Sequence, residues 1–240
     1  SGFGVRDSGW GFGIGRGTPN PESRIPNPEI GYTPPVPGTF TGFPREALTF
    51  FKELEANNNR DWFQAHKDVY ERACREPMQA LLAELRLGPG KISRINRDIR
   101  FTPDRSPYKN HISAGVGGYY IHLSPEGLYV GTGIYKPDPP MLERFRGAVD
   151  RDASGRQLQK IVKALERKGY DVGTHQSLRS APKGYRADHP RIDLLRMKDI
   201  FAGRAFKPVG WLSTRKALGE IQRVMRDTQP MKDWLSRYVR

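Results

Sequence analysis

From Phe40 onward the apolar positions fall into runs with clear periods, and these predict most of the elements. Phe43, Ala47, Phe50, Phe51 and Leu54 recur at helical spacing around Pro44, which suits a helix start. Asn57-Asn58-Asn59 ends that helix, since Asn tolerates the backbone of helix ends. A second helix is predicted from Asp61, burying Trp62, Phe63, Val69 and Tyr70, and a third from about Pro77 to Leu85 or Leu87. Gly88-Pro89-Gly90 closes this helical unit.

The period then changes from helix to strand. Over residues 92–101, Ile95, Ile99 and Phe101 share one parity, while Arg94, Asn96, Asp98 and Arg100 share the other. Strands are also predicted at 111–123 and 128–135, joined by the turn Ser124-Pro125-Glu126-Gly127. Gly115, Gly117 and Gly118 predict a bulge or a close backbone approach. Pro137 to Pro140 lead into a helix through Leu142, Phe145 and Val149, and another follows at 155–168 with Leu158, Ile161, Val162 and Leu165. Shorter helices are predicted at 192–197 and 218–225, with a last one around Trp234. This order predicts the α+β class: a central antiparallel sheet flanked by several helices, in one domain over residues 40–240.

Residues 1–39 read differently, as an extended tail rich in Gly and Pro. Its Arg6, Arg16 and Arg24 balance Asp7, Glu22 and Glu29, so it makes a poor nucleic-acid arm. Phe3, Trp10, Phe12, Ile14, Ile25, Ile30 and Tyr32 are more apolar groups than a solvated linker carries, so docking onto a protein partner is expected. The glycines of 11–17 do not make a dinucleotide loop, because Pro19 and Pro21 stand where a helix would have to begin.

Charge sharpens the picture. The 240 residues carry a net +14, and residues 151–240 alone hold 21 basic and 9 acidic groups. Such a field steers polyanions: nucleic acid, with RNA favoured, or a phosphorylated ligand. Solubility is the alternative use of the same charge. Cys74 is the single cysteine, which excludes an internal disulfide and a multi-cysteine zinc site; it reads as a packing residue. That usage suits an intracellular, reducing compartment: cytoplasm, or an organelle after removal of a targeting peptide. The Ser1 start fits methionine removal, processing or a cloning remnant equally. No run is apolar enough to span a bilayer, and no secretory signal pattern is present.

The densest chemistry lies in the run from Arg97 to His111. Arg97, Arg100, Arg105 and Lys109 can surround a phosphate, Ser106 can donate to it and Tyr108 can stack on a base. The alternative is an internal network in which Asp98 and Asp104 pair with the arginines to orient a loop. Further along, Lys183, Tyr185 and Arg196 extend a basic wall. Asp188 either caps the helix after Pro190 or orients His189 as a general base. For an enzyme acting on a phosphorylated substrate, the candidate catalytic residues are Asp98, Asp104, Lys109 and His189. His66, His111, His122, His175 and His189 show no metal-ligand spacing, so neither a metal nor a cofactor is predicted.

Three stretches taken together resemble one family. They are Asn57-Asn58-Asn59-Arg60-Asp61-Trp62-Phe63, the run Arg97-Asp98-Ile99-Arg100-Phe101 with Asp104-Arg105-Ser106-Pro107-Tyr108-Lys109, and Pro182-Lys183-Gly184-Tyr185 with Asp188-His189-Pro190. In order and spacing they resemble the domain of unknown function 2461, from about Phe40 to the C-terminus. Arg105 stands where that family usually has Lys, which keeps the charge. The resemblance implies a single domain of this size and supplies no reaction, ligand or catalytic residue. The expectation is therefore a basic binding protein for RNA or another polyanion, on its own or as a component of a larger assembly. Its rivals are the enzyme above and a structural subunit docking through its tail.

Overall fold

A computed structural model describes residues 38–98 and 104–240. The docking tail expected over residues 1–39, apart from its last two residues, and the ligand contact assigned to Arg100 lie outside the described residues.

Helix α1 (Arg45–Ala56) turns Ala47, Phe50, Phe51 and Leu54 inward, as its period requires. Asn59 caps α2 (Arg60–Ala65), its side chain accepting the Trp62 amide at 2.9 Å. Asn59→Ala is expected to cost about 1 kcal/mol, read as a lower urea midpoint. The next stretch is continuous rather than broken at Pro77. α3 (Lys67–Val69), a π-helical segment Tyr70–Arg75 and α4 (Glu76–Leu85) follow one another directly. Pro77 cannot donate to the carbonyl four residues back, and the widened turn just before it takes up that mismatch. Cys74 lies buried in this segment, where burial pushes its thiol well above the usual range.

The sheet comprises β1 (Lys91–Ile92), β2 (Ile112–Val116), β3 (Tyr119–Ser124), β4 (Gly127–Ile134), β5 (Asp171–Gly173) and β6 (Ile200–Phe206). Their order is β1-β2-β3-β4-β6-β5, and every neighbouring pair is antiparallel. The single strand expected over 111–123 is a hairpin, because Gly117 and Gly118 turn the chain at φ 55° and 84°. The strand expected over 92–101 shrinks to β1. The following residues leave the sheet and pair locally: Arg97 N donates to Pro107 O at 2.8 Å, and Lys109 N to Ile95 O at 2.9 Å. β5 was not legible as a strand because it has three residues, nor β6 because Ala202, Gly203 and Ala205 break its alternation.

α5 (Pro139–Asp150) and α6 (Asp152–Arg167) follow β4, and α7 (Ile192–Arg196) precedes β6. A 3-10 turn at Gly210–Ser213 leads to α8 (Lys216–Tyr238). The two helices expected at 218–225 and around 234 are therefore one, with Pro230 inside it. Its buried stripe from Ile221 through Met225 and Met231 to Trp234 outweighs the hydrogen bond that Pro230 forgoes.

The helices cover one face of the sheet. Ile121, Leu123, Leu128, Val130, Ile134 and Ala202 point into that core together with Phe51, Phe145 and Trp234. Tyr119 Oη donates to Met225 O at 2.8 Å and Trp234 Nε1 to Ser154 O at 2.9 Å, so the polar tips are satisfied. The other face has a different composition. In β4, Gly127, Tyr129, Gly131 and Gly133 alternate with Leu128, Val130, Thr132 and Ile134. Register places Ser113 and His122 beside Tyr129, and Tyr120 beside Gly131 and Gly203. Tyr129 and Phe201 are buried yet stand outside the hydrophobic core.

Candidate functional site

Much of the first motif is structural. Tyr108 is turned into the core, stacked on Phe63 with ring centroids 4.1 Å apart. Its backbone is clamped by Asn58, which accepts the Tyr108 amide at 3.0 Å and donates to its carbonyl at 2.9 Å. Tyr108 is thus a packing residue, because its phenol ring fills the space between the helices and the loop. Asp104 organises the turn. The Ser106 hydroxyl and amide donate to it at 2.5 and 2.9 Å and, with Arg97 paired to it, hold its carboxyl below the usual range. Ser106 and Asp104 are therefore spent on the loop itself. Asp98 is half-buried and Arg105 exposed.

What remains is a cluster of like charge. Lys109 is half-buried and donates from Nζ to Arg94 O at 2.8 Å. Burial, then repulsion from Arg94 and Arg97, depresses its pKa. Burial also lowers His111 to about 4, with Lys109 and Arg97 adding repulsion that Glu126 partly offsets. His111 stacks on His122 at 4.2 Å, and burial, then His111, takes His122 down to about 3. Arg97 Nε is buried with no hydrogen-bond partner among the described residues. Gathering these cations costs free energy that a bound anion would return.

From this cluster a line of rings crosses the glycine-rich face. Tyr120 Oη lies 3.2 Å from His122 Nδ1. Tyr129 lies flat over Gly131 and Gly203, whose missing side chains leave room for its ring. Past the Ile134–Ile200 pair, the same face carries Tyr135, Asp199 and His175. There the buried Asp199 accepts the Thr174 hydroxyl at 2.6 Å, the His175 amide at 2.8 Å and His175 Nδ1 at 2.9 Å. Burial pushes the Asp199 carboxyl up, but these hydrogen bonds outweigh it and hold the group below its usual range.

The second motif is packed elsewhere, against the junction of α5 and α6. Arg186 grips Asp188 at 2.7 Å, so Asp188 neither caps a helix nor orients His189. His189 accepts the Arg191 amide at Nδ1, 3.1 Å, and its Nε2 donates to Asp150 at 3.2 Å. Arg191 is buried and donates to Val149 O at 2.6 Å, Asp150 O at 2.7 Å and Asp152 at 2.9 Å. Lys183 is exposed, Tyr185 packs against the core, and Arg196 lies 3.9 Å from Asp193. The described contacts of His189 are thus with α5 and its own loop, and those of Lys109 with the β1–β2 edge.

Both motifs and the whole sheet fall within one matched sequence region: the model of a conserved hypothetical protein family, DUF2461, matches residues 46–234. The chain belongs to this family. No curated protein and no solved structure matches it. Within the family region, sequence reasoning passed over Tyr120, Tyr129, Tyr135 and Asp199 and saw His122 and His175 only as candidate metal ligands. The alternating glycines of β4 and the Tyr-x-His step in β3 were the available signal. Among the described residues, no group of three or more His, Cys, Asp or Glu side chains is arranged to hold a metal ion. Nor, among them, is any helix long and apolar enough to cross a membrane.

Proposed function

We propose that this protein binds single-stranded RNA at the cationic edge of its sheet, around Arg94, Arg97 and Lys109. The observation that carries this reading is the convergence of Arg94, Arg97 and Lys109 at the edge of the sheet, where burial and then repulsion from the two arginines lower the Lys109 pKa. Cations supply contacts to phosphates, and the half-buried rings of His111 and Tyr120 at that edge offer stacking partners for a base. The enzyme reading built on Asp98, Asp104, Lys109 and His189 gains less support, because Asp104 is committed to Ser106 and Arg97, and His189 to Asp150.

The test is RNA affinity across a salt series for wild type and for Arg94→Ala/Lys109→Ala. Each phosphate contact removed should flatten the plot of log affinity against log salt by about 0.7 for a single strand. Wild-type binding that ignores salt, or a double variant that binds like wild type, would overturn the proposal.

A further inference from the structure

We propose that the cationic edge takes the phosphorylated end of an RNA strand, with a terminal phosphate monoester seated at Lys109 beside Arg94 and Arg97. The inference rests on the RNA-binding reading above and deepens it, because it names which phosphate of the strand the site holds. Three observations support it.

The first is the setting of Lys109. The residue is half-buried, and its Nζ donates to Arg94 O at 2.8 Å. An ammonium has further hydrogens to give, and these have no partner among the described residues. The charges that act on Lys109 are Arg94 and Arg97, both positive, and burial removes water from it as well. A cation held in this way gains most from the ligand of greatest negative charge. A terminal phosphate monoester carries a charge of about −1.5 to −2 at neutral pH and three acceptor oxygens. An internal phosphodiester carries a single charge and is flanked by a sugar on both sides, so it suits cations on an open surface better than a half-buried one.

The second observation is the extent of the patch. Asp104 is paired with Arg97, and Glu126 lies close enough to His111 to favour its charged form. Carboxylates therefore stand at the Arg97 and His111 margins of the cluster. A groove that tracks a nucleic-acid backbone strings cations along its length. Here the positive charge is gathered at one point, which suits one phosphate rather than a succession of them.

The third is the rings beside it. His111 follows Lys109 by two residues and is half-buried, and its ring is stacked on the buried His122 at 4.2 Å. No hydrogen bond within the described residues engages the His111 ring, so its N–H can donate to the same phosphate. Tyr120, also half-buried, reaches His122 Nδ1 with its hydroxyl at 3.2 Å. These two rings offer the terminal base a surface next to its own phosphate.

The experiment measures the affinity of the full chain, at constant ionic strength, for one single-stranded RNA sequence in three forms. One form is phosphorylated at the 5′ end, one at the 3′ end, and one has hydroxyls at both. A phosphorylated end is expected to tighten binding roughly tenfold or more, through charge-assisted contacts that the hydroxyl form lacks. Lys109→Met keeps the bulk of the side chain without its charge and should abolish the gain. Because Lys109 is half-buried, the exposed Arg94→Ala serves as a second variant that leaves the core intact and should reduce the gain. Inorganic phosphate should compete with the phosphorylated forms and spare the hydroxyl form. Equal affinity for the three forms, or a gain that survives in both folded variants, would overturn the terminal-phosphate site and leave the RNA reading standing. A nucleoside monophosphate that binds as tightly as the phosphorylated strand would also overturn it, since the ligand would then be a free nucleotide. Absence of binding to all three forms would overturn the RNA reading itself.

Discussion

Lowering the pH from 7 to 5 is expected to remove about 2–4 kcal/mol of stability through His111 and His122. Both rings titrate well below the ordinary imidazole value of 6.5 in the folded protein, near 4 and 3, so the unfolded chain takes up protons first. Their contribution is whole above pH 6.5 and is lost progressively as pH falls toward the folded values. The groups that set this are specific. Burial dominates for both rings; Lys109 and Arg97 repel a charge on His111 and Glu126 partly favours it, His111 repels a charge on His122, and the Tyr120 hydroxyl meets His122 Nδ1. The buried or paired carboxylates Asp104 and Asp199 are lowered, so they titrate below this window. Urea midpoints measured from pH 7 to pH 5 should fall steadily for wild type and stay flatter for His111→Asn/His122→Asn. A wild-type midpoint that does not move would mean that the pair is not desolvated. Bound RNA should reduce the fall, because phosphate favours the imidazolium forms that burial opposes.

Arg191→Ala is expected to cost about 3–5 kcal/mol, a large share of the stability of a domain this size. Its guanidinium satisfies Val149 O and Asp150 O where α5 gives way to α6, and it packs against Gly155, which has no room for a side chain there. Truncation leaves two carbonyls unpaired in a space that water does not readily fill. Asp152 is mostly exposed, so losing its partner adds little. Urea unfolding measures the cost. RNA affinity of the folded variant should match wild type, because this motif braces a helix junction away from the cation cluster. Reduced affinity in the fully folded variant would place the second motif in the binding surface instead.

The helices were largely legible in the chain because each buries a continuous stripe at helical spacing. Phe43 to Leu54 and Leu158 to Leu165 are examples, and the Asn59 cap marks an end. The helix expected from about Pro77 is α4, but Pro230 misled the reading: it sits inside one continuous helix because the burial around it outweighs one lost hydrogen bond. β5 and β6 were missed since their glycines and alanines carry little strand preference alone and are strands only through pairing. The candidate site was legible in part. The sequence placed a cationic loop at Arg97–Lys109, yet nothing local distinguished Lys109, left in a cluster of like charge, from Tyr108, its neighbour, which is buried as packing.

By itself the sequence determined the α+β class, the family, the excess of positive charge and the loop that concentrates it, because periodicity, composition and motif spacing are local properties. Only the tertiary structure decided which residues meet. The antiparallel register put Tyr120, His122 and Tyr129 on one glycine-rich face, and it carried His175 and Asp199, distant in sequence, to the far end of that face as a dyad. It also sent His189 to Asp150 and away from the cationic loop. The physical reason is that strand pairing joins residues by register across the sheet, and no local pattern records which strands will be neighbours.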